Sequence, residues 1–537
     1  MAMQKQQPLV IQPGAAGTSR RSRSAAASSI RNIDINALWV QARKTLKGQY
    51  VVLATSNLLL ALILSLVVSQ ALQRSFSDLD TINTGSIPSV DAAQAMAQYI
   101  EDIDAKAADY LATSALTTTE QCSIVGTNRN PGALTVHDCD DHNIDAEIIL
   151  VNEQLFKATH NVTYPGEQTA VERITAGFEE YVADIMVMRH EYALAKSKTD
   201  PQDVHLQSAY QAYLAASNVL HQHISLTPIV KADGSLALDE QKNTTLPTCV
   251  VNGRVLDAQT WALGSIEDNI TCLNNINKAH LDAAYDDTLS FLNTTTTVAL
   301  GLCIVFWLLL LFTIGRMVVT THRVINIGLS LAMVTSLVFG ILVVNLFGEM
   351  SGRHGAFGQM VKDDYDSIYA AALLKRYGTE ANGDESRWLI ALEFGNQTDV
   401  DHWYQDWLAN TNQVTTLMKQ AKANRTWPEE DQPLADMQTY WNKYFSIDGQ
   451  IRQKAQDKTD ANRVIAAEVL STGDSNRAFD SFSQAVDQLS TANRDHYKAT
   501  LDDIQGKLSL YITLSLVLFP LIGLVAVWGV SRRLKDF

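Results

Sequence analysis

Four apolar segments, each long enough to cross a bilayer, restrict how this chain can fold. They are Val51–Ala71, Val298–Val319, Val324–Phe347 and Leu508–Val530. About 20 apolar residues in a helix span the hydrocarbon core, and lipid accepts only helices or closed barrels. None of the four contains Asp or Glu, and Arg316 is their only basic residue. The sequence therefore predicts four transmembrane helices.

The distribution of charge predicts which side each connecting segment occupies. Residues 1–50, the turn 316–323 and the tail 531–537 together hold 13 basic residues and two acids. The long segments 72–297 and 348–507 hold 29 basic residues and 56 of the 58 acids. Lys and Arg accumulate in cytoplasmic flanks. We therefore expect a multi-pass plasma-membrane protein with both termini in the cytoplasm and two large domains outside.

This interpretation divides the chain into ten segments. In chain order, they are a disordered cytoplasmic tail (1–30), a cytoplasmic juxtamembrane segment (31–50), the first transmembrane helix (51–71), a first extracytoplasmic helical bundle (72–297), the second transmembrane helix (298–319), a cytoplasmic turn (320–323), the third transmembrane helix (324–347), a second extracytoplasmic helical bundle (348–507), the fourth transmembrane helix (508–530) and a cytoplasmic tail (531–537).

Apolar residues recur three and four positions apart in both long segments, as in Val171, Ile174, Phe178 and Tyr181. This spacing indicates helices that pack lengthwise. The predicted fold class is thus an all-α membrane protein with two four-helix-bundle sensor domains. A small irregular or β insertion is expected in the first, within 117–143 or 227–262. The span–bundle–span order occurs twice, which suggests an internal duplication; whether the bundles are separate or form one unit stays open.

Four of the five cysteines, Cys122, Cys139, Cys249 and Cys272, lie in the first long segment, and Cys303 lies in the second apolar segment. An even number of cysteines outside the cytosol predicts disulfides. Four cysteines allow three pairings. We favour Cys122–Cys139 with Cys249–Cys272, since each pair closes a local turn-rich insertion; free thiols are the alternative.

No catalytic, cofactor-binding or metal motif is apparent, so we predict a protein that is not an enzyme and has no cofactor. His221 and His223 would project 200° apart on a helix, too far around it to share an ion unaided. The acidic external segments disfavour nucleic acid. Six Asn-x-Thr sequons occur in them, at Asn161, Asn243, Asn269, Asn293, Asn396 and Asn424; glycosylation would need a glycosylating host.

Two short motifs carry a family resemblance. The third apolar segment begins at His322-Arg323-Val324-Ile325-Asn326, and the fourth ends in Gly529-Val530-Ser531-Arg532-Arg533-Leu534. With two external bundles and four spans, the chain resembles GlnX-type bacterial membrane sensors over about residues 40–537. The external bundles are also similar to chemoreceptor sensor domains, but we expect no chemoreceptor-type output domain after the last span.

The resemblance implies an extracytoplasmic solute-binding lipoprotein as one partner and a cytoplasmic Ser/Thr kinase or other signalling protein as another, beside membrane lipid and a homo-oligomer. Arg316, Arg323, Arg532, Arg533 and Lys535 are the candidate contacts for the cytoplasmic partner. We expect a non-enzymatic sensor or relay subunit, with the ligand-binding residues unknown. The alternatives are a structural or adhesion protein of the envelope and a chemoreceptor-like sensor that binds a small molecule itself.

Overall fold

The structure is a computed structural model of the chain. It describes residues 45–113, 116, 119–126, 131–198, 200–222, 224, 249–251, 254–256, 264–322, 326–460 and 462–534. The predicted tail 1–30, most of the juxtamembrane segment, His223, Arg323 and Lys535 lie outside these residues. The described part is almost entirely helical, and four of its helices are long and apolar enough to cross a membrane.

The helices of the first half of the chain are α1 (Leu46–Thr81), α2 (Ile87–Ala112), α3 (Val136–His160), α4 (Glu167–Leu194), α5 (Val204–His221) and α6 (Ile266–Thr321). A π-helical turn, Ile82–Ser86, joins α1 to α2. Two antiparallel strand pairs lie in the regions expected to be irregular: β1 (Thr119–Cys122) with β2 (Gly132–Thr135), and β3 (Cys249–Val251) with β4 (Arg254–Leu256).

The second half repeats this order without the strands. Its helices are α7 (Ile327–Met350), α8 (Asp366–Phe394), α9 (Gln397–Ala423), α10 (Asp431–Ala455), α11 (Arg463–Leu470) and α12 (Asn476–Arg533). Shorter elements are the helical turn Ala356–Gly358, the π-helical Gln359–Tyr365, the 3₁₀ turn Pro428–Glu430 and the π-helical Ser471–Ser475. We call residues 46–321 the first repeat and 327–533 the second repeat.

The last helix of each repeat runs without interruption into an apolar segment. Helix α6 has 56 residues and α12 has 58. The sequence predicted both continuations, because the apolar spacing of each outer segment passes directly into a membrane-length run. Helix α12 stays helical through Pro520. At about 1.5 Å per residue, each helix is more than twice the length that a bilayer core requires.

The four apolar segments pack as a ring in which α1 and α7 each contact both α6 and α12. Small residues allow close approach: a Cβ on Gly328 would lie 2.6 Å from the Cα of Gly529. Polar groups bridge the helices, since Ser65 Oγ donates to the Ser515 carbonyl over 2.9 Å. Both contacts are of the kind that holds helices together in lipid, where burial of apolar area adds little.

Outside the apolar segments, the helices form two cores that meet along α2 and α8. One core is built from α2–α6, and the other from α8–α12. Ile390 and Phe394 of α8 belong to the first core, so the repeats share apolar surface. A Cβ on Gly383 would lie 3.1 Å from the Cβ of Ala105, so the two helices approach closely. The repeats therefore pack as one composite unit, which the sequence left undecided.

Candidate functional site

A seven-residue motif occurs once in each repeat, in the loop before the third helix outside the apolar segments. It is Asn161-Val-Thr-Tyr-Pro-Gly-Glu167 in the first repeat and Asn424-Arg-Thr-Trp-Pro-Glu-Glu430 in the second. The last helix of each repeat adds a second shared motif, Asn277-Lys-Ala-His280 and Asn493-Arg-Asp-His496. In both repeats the two motifs come together in space, and we call each assembly a clasp.

The first clasp ties the loop to α2 and α6. Glu167 Oε2 accepts from the backbone nitrogens of Thr163 and Tyr164, at 2.5 and 2.6 Å. The Tyr164 ring stacks on His280 of α6 at 3.8 Å between centroids and 8° between planes. The Tyr164 hydroxyl lies 2.9 Å from Ser86 Oγ, at the end of the π-helical turn.

The second clasp repeats these contacts. Glu430 Oε2 accepts from the backbone nitrogens of Thr426 and Trp427, at 2.6 and 2.9 Å. The Trp427 ring stacks on His496 of α12 at 4.1 Å and 9°. Trp427 Nε1 donates to Asp364 Oδ1 over 2.8 Å, again within a π-helical turn. Loop, π-helical turn and last helix thus meet in the same way twice.

The asparagine that begins each loop motif also bonds to the first outer helix. Asn161 Nδ2 donates to the Gly85 carbonyl and to Ser89 Oγ, over 2.7 and 2.6 Å, and Asn424 Nδ2 donates to Ser367 Oγ over 2.9 Å. These two sequons thus serve as structural contacts, and a glycan would replace one of the two amide hydrogens of each asparagine. Sequence reasoning counted them only as sequons; aligning the residues that follow each one would have revealed the shared loop motif.

Each clasp therefore joins the two helices by which its repeat meets the membrane segments. In the first repeat these are α2, which continues α1 through the π-helical turn, and α6. In the second they are α8, which follows α7, and α12. π-Helical turns are uncommon and are found frequently at functional sites. The clasp adds to the direct packing of these helices, since α2 also contacts α6 and α8 also contacts α12.

Two disulfides close the insertions of the first repeat. Cys122 pairs with Cys139 and Cys249 with Cys272, with Cα–Cα distances of 5.7 and 5.6 Å. These are the pairs that the sequence favoured. Cys303 is a free, buried cysteine of α6. The first bridge anchors the β1–β2 hairpin to α3, and the second anchors β3 to the start of α6.

The predicted cytoplasmic contacts that the structure describes lie at one end of the membrane helices. Arg316 NH2 donates to Gln49 Oε1 over 3.2 Å, and the Arg532 guanidinium carbon lies 4.5 Å from the centroid of the Trp528 ring. Arg533 is the last residue of α12.

The two motifs that carried the family resemblance meet at this same end. Asn326, which caps α7 through the backbone nitrogen of Leu329, donates its Nδ2 to the Gly529 carbonyl over 2.9 Å. The start of the third span and the end of the fourth are thus held together. Of the basic residues at this end, Arg316 and Arg532 are exposed and Arg533 is partly exposed.

A cavity of about 580 Å³ lies between the repeats, away from the clasps, and we call it the interrepeat cleft. It is bounded by the end of α5, the first turn of α6, and the facing parts of α8 and α9. Its lining is strongly polar: His221, Gln222, Glu267, Tyr377, Glu380, Asp384, Arg387, His402, Trp403, Asp406, Ala409, Asn410 and Gln413.

A buried ionic network forms the floor of the cleft and links the repeats. Arg387 of α8 is 1% exposed. Its NH2 lies 2.6 Å from Asp104 Oδ2 of α2, and its NH1 lies 2.7 Å from Asp384 Oδ1. Arg376 bonds to Glu267 of α6 over 2.6 Å and to Glu380 over 2.8 Å.

The network leaves its acids in two different states. Burial alone would raise the pKa of Asp104, but Arg387 and His221 outweigh it and lower that pKa to about 2. Arg376 and His221 likewise overcome burial at Glu267 and lower its pKa to about 2. At Glu380, burial dominates over Arg376 and raises the pKa well above its usual range. Burial thus favours the protonated, uncharged form of Glu380, even with Arg376 beside it.

Glu101, His221 and Glu267 place possible metal-ligand atoms within 4.8 Å of one another. Two of these groups are already paired with guanidinium groups: Glu267 Oε1 with Arg376, and Glu101 Oε2 with Arg387 NH2 at 3.5 Å. A metal ion would have to compete with both cations for the same carboxylates. The arrangement fits an internal salt-bridge network better than a metal centre.

Sequence reasoning missed the cleft because its charged network runs from Glu101 to Asp406, more than 300 positions apart, and follows no local pattern. His221, considered from the sequence only as a possible partner of His223, has a side chain that is 21% exposed and lies between acids of α2 and α6. Comparisons of the chain with protein-family models, curated proteins and solved structures found no match.

Proposed function

We propose that this protein is a non-enzymatic membrane sensor or relay subunit. In this proposal the helical repeats lie outside the cell and the basic end of the membrane helices lies in the cytoplasm, an orientation that the charge asymmetry favours. The protein passes an extracytoplasmic signal, from a ligand or from a solute-binding lipoprotein, to a separate cytoplasmic partner. A Ser/Thr kinase is the partner that the sequence resemblance implies.

The observation that carries this proposal is the pair of clasps. Each joins the first and last outer helices of one repeat. Helices α6 and α12 contain their membrane segments, α2 follows α1 through a π-helical turn, and α8 follows α7 through residues 351–365. Small shifts or rotations of packed helices are an established means of signalling. A signal that displaces an outer helix is thereby delivered to two membrane helices at once.

The basic end supplies the output surface. Arg316, Arg532 and Arg533 stand beside the contact between Asn326 and Gly529, where the ends of all four membrane helices meet. Arg323 and Lys535, the other two predicted contacts, lie outside the described residues. In this proposal a separate cytoplasmic protein reads the output, and basic side chains favour an acidic surface on that protein.

The direct test is photo-crosslinking in intact cells. A photoreactive phenylalanine derivative replaces Ser531, which is exposed at the end of α12, and a control copy carries it at Leu524, which faces outward within the membrane segment. We expect a cytoplasmic signalling protein to be captured at position 531 and not at 524. Capture of envelope components alone, or only of further copies of this chain, would refute the relay and favour the structural or adhesion alternative.

A further inference from the structure

We infer that the interrepeat cleft is a binding site for a small organic molecule that carries a primary ammonium group. This inference concerns binding alone. It can be tested on purified protein and stands or falls separately from the relay.

The cleft and its network contain more acidic than basic groups. Six carboxylates line the cleft or bond to its lining: Glu101, Asp104, Glu267, Glu380, Asp384 and Asp406. Among the described residues of this network, two guanidinium groups oppose them, those of Arg376 and Arg387. Even with His221 and His402 protonated, four cations face six carboxyl groups, so the described side chains of the network do not supply a cation for each carboxyl. A cationic ligand in the cleft would favour the ionised form of a carboxyl such as that of Glu380, whose pKa burial raises, and low-dielectric walls strengthen this attraction.

Two of the carboxyl groups that line the cavity itself, where a ligand can reach them, are those of Glu380 and Asp406. Glu380 lines the cavity, and among the described residues its only hydrogen bond is the one that Oε1 accepts from Arg376. Asp406 lines the cavity too, and its side chain is 43% exposed, with His402 at 3.5 Å. An ammonium group in the cleft would thus find carboxylates on both α8 and α9.

The size of the cavity favours an organic ligand over a bare metal ion. Its volume of about 580 Å³ falls within the range of small-molecule sites, roughly 300–1,000 Å³. A metal ion at Glu101, His221 and Glu267 would fill almost none of it and would meet the two guanidinium groups described above.

The aromatic residues favour a primary over a quaternary ammonium group. Quaternary ammonium ligands are held mainly by free aromatic faces. In this cleft the Arg387 guanidinium lies over the Trp403 ring at 5.3 Å, and the Arg376 guanidinium lies 5.6 Å from the Tyr377 ring. Carboxylates remain as the available partners, and they suit the three hydrogen-bond donors of a primary ammonium.

The experiment is calorimetric titration of the full chain in lipid nanodiscs. The probes are putrescine, a primary diamine; choline, a quaternary amine; Ca²⁺ and Zn²⁺; and glutamate. The variants are Glu380→Gln, Asp406→Asn and, as a control with the same chemical change, Glu153→Gln at an exposed position of α3. Asp406→Asn keeps the test decisive if Glu380→Gln disturbs folding, because Asp406 is partly exposed.

We expect putrescine to bind and choline not to bind. Loss of one charged hydrogen bond should weaken putrescine binding roughly tenfold or more in Glu380→Gln. The more exposed Asp406→Asn should weaken it about threefold, and Glu153→Gln should leave it unchanged. Binding should also weaken as the pH falls, because protonated carboxyls no longer attract the ammonium.

Four results would overturn the inference. They are no heat with putrescine, equal affinity for choline, tight binding of Ca²⁺ or Zn²⁺ that putrescine does not displace, and putrescine binding that neither cleft variant changes. None of these results bears on crosslinking at position 531, so a failure of this inference is distinguishable from a failure of the relay.

Discussion

The two clasps share a design but differ in how completely they are closed. In the second, the remaining oxygen of Glu430 accepts from Asn493 Nδ2 over 2.8 Å. In the first, Glu167 Oε1 is buried without a partner among the described residues, and Asn277 Nδ2 donates to the Leu273 carbonyl of its own helix over 2.9 Å. The amide oxygens Asn277 Oδ1 and Asn493 Oδ1 do not differ, since both are buried without a partner among the described residues. A buried carboxylate oxygen without a partner costs stability. The hydrogen bond from the last helix to the loop glutamate therefore distinguishes the second clasp from the first.

The surroundings of the clasps differ in the same sense. The first repeat has two disulfides and strand-bearing insertions around its helices, whereas the second has no cysteine. Aromatic packing takes their place, since Trp388, Trp403, Trp407 and Trp441 are all buried in the second core. The first repeat is thus braced by disulfides and its clasp lacks the hydrogen bond from the last helix to the loop glutamate, whereas the second repeat is packed by tryptophans and its clasp has that bond.

The largest expected effect is the loss of local stability when the glutamate of either clasp is replaced, and it should differ between the two. Glu430→Ala removes the acceptor of three buried donors and should cost about 4 kcal/mol of local stability, whereas Glu167→Ala removes the acceptor of two and should cost about 3 kcal/mol. Hydrogen exchange of peptides covering 161–167 and 424–430 measures both, with Glu153→Ala as the exposed control. Equal losses of stability, or a larger loss in Glu167→Ala, would contradict the claim that Glu430 stabilises its clasp more than Glu167 does.

Removing the disulfides should affect the first repeat only. Replacing Cys122 and Cys139 by Ser opens a loop of 17 residues, which should cost about 3 kcal/mol. Exchange should rise in α3 and in the described strands β1 and β2, while α9 and α10 keep their protection. A matching rise in the second repeat would show that the braces support the whole composite unit.

A change of pH should alter the local stability of the second clasp and leave that of the first unchanged. Burial raises the pKa of Asp364 to about 6. The nearby acids Asp363 and Glu430 also raise this pKa, whereas the hydrogen bond from Trp427 and the charge of His496 lower it. The folded state thus keeps a proton that the unfolded chain releases near its ordinary pKa of 3.8. The contribution of Asp364 to the free energy of unfolding therefore falls as the pH rises from about 4 to about 6, by no more than about 3 kcal/mol.

The first clasp has Ser86 in the place of Asp364, which gives a built-in control. Asp364→Asn should remove the pH dependence of exchange in peptides covering 424–430, while peptides covering 161–167 show the same profile with and without the substitution. If the wild-type profile at 424–430 is flat between these pH values, the difference assigned to Asp364 is wrong.

The smallest effect concerns the aromatic ring of the first clasp. Tyr164→Phe keeps the stack on His280 and loses only the contact with Ser86 Oγ. We expect a cost of about 1 kcal/mol, seen as faster exchange of peptides covering 161–167. Tyr404→Phe, at a partly exposed position of α9, is the matched control and should change little.

The sequence predicted what depends on local pattern. The length of the apolar segments predicted the four membrane helices, and the helical spacing of apolar residues before them predicted that α6 and α12 continue into the membrane. The short chain segment between the two cysteines of each pair favoured Cys122–Cys139 and Cys249–Cys272. The composite packing escaped prediction because it depends on Arg387 reaching Asp104, 283 positions away. The clasps were missed because their motifs are short and two of their residues also fit a sequon.

The account depends most on coupling between a clasp and the far end of the membrane helices. Spin labels on cysteines at Lys47 and Ser531, both exposed, report the distance between α1 and α12 at that end, in a Cys303→Ser background. The account predicts that Glu430→Ala changes this distance distribution in nanodiscs, while Glu153→Ala does not. An unchanged distribution, in a protein whose second clasp has opened by hydrogen exchange, would contradict the relay.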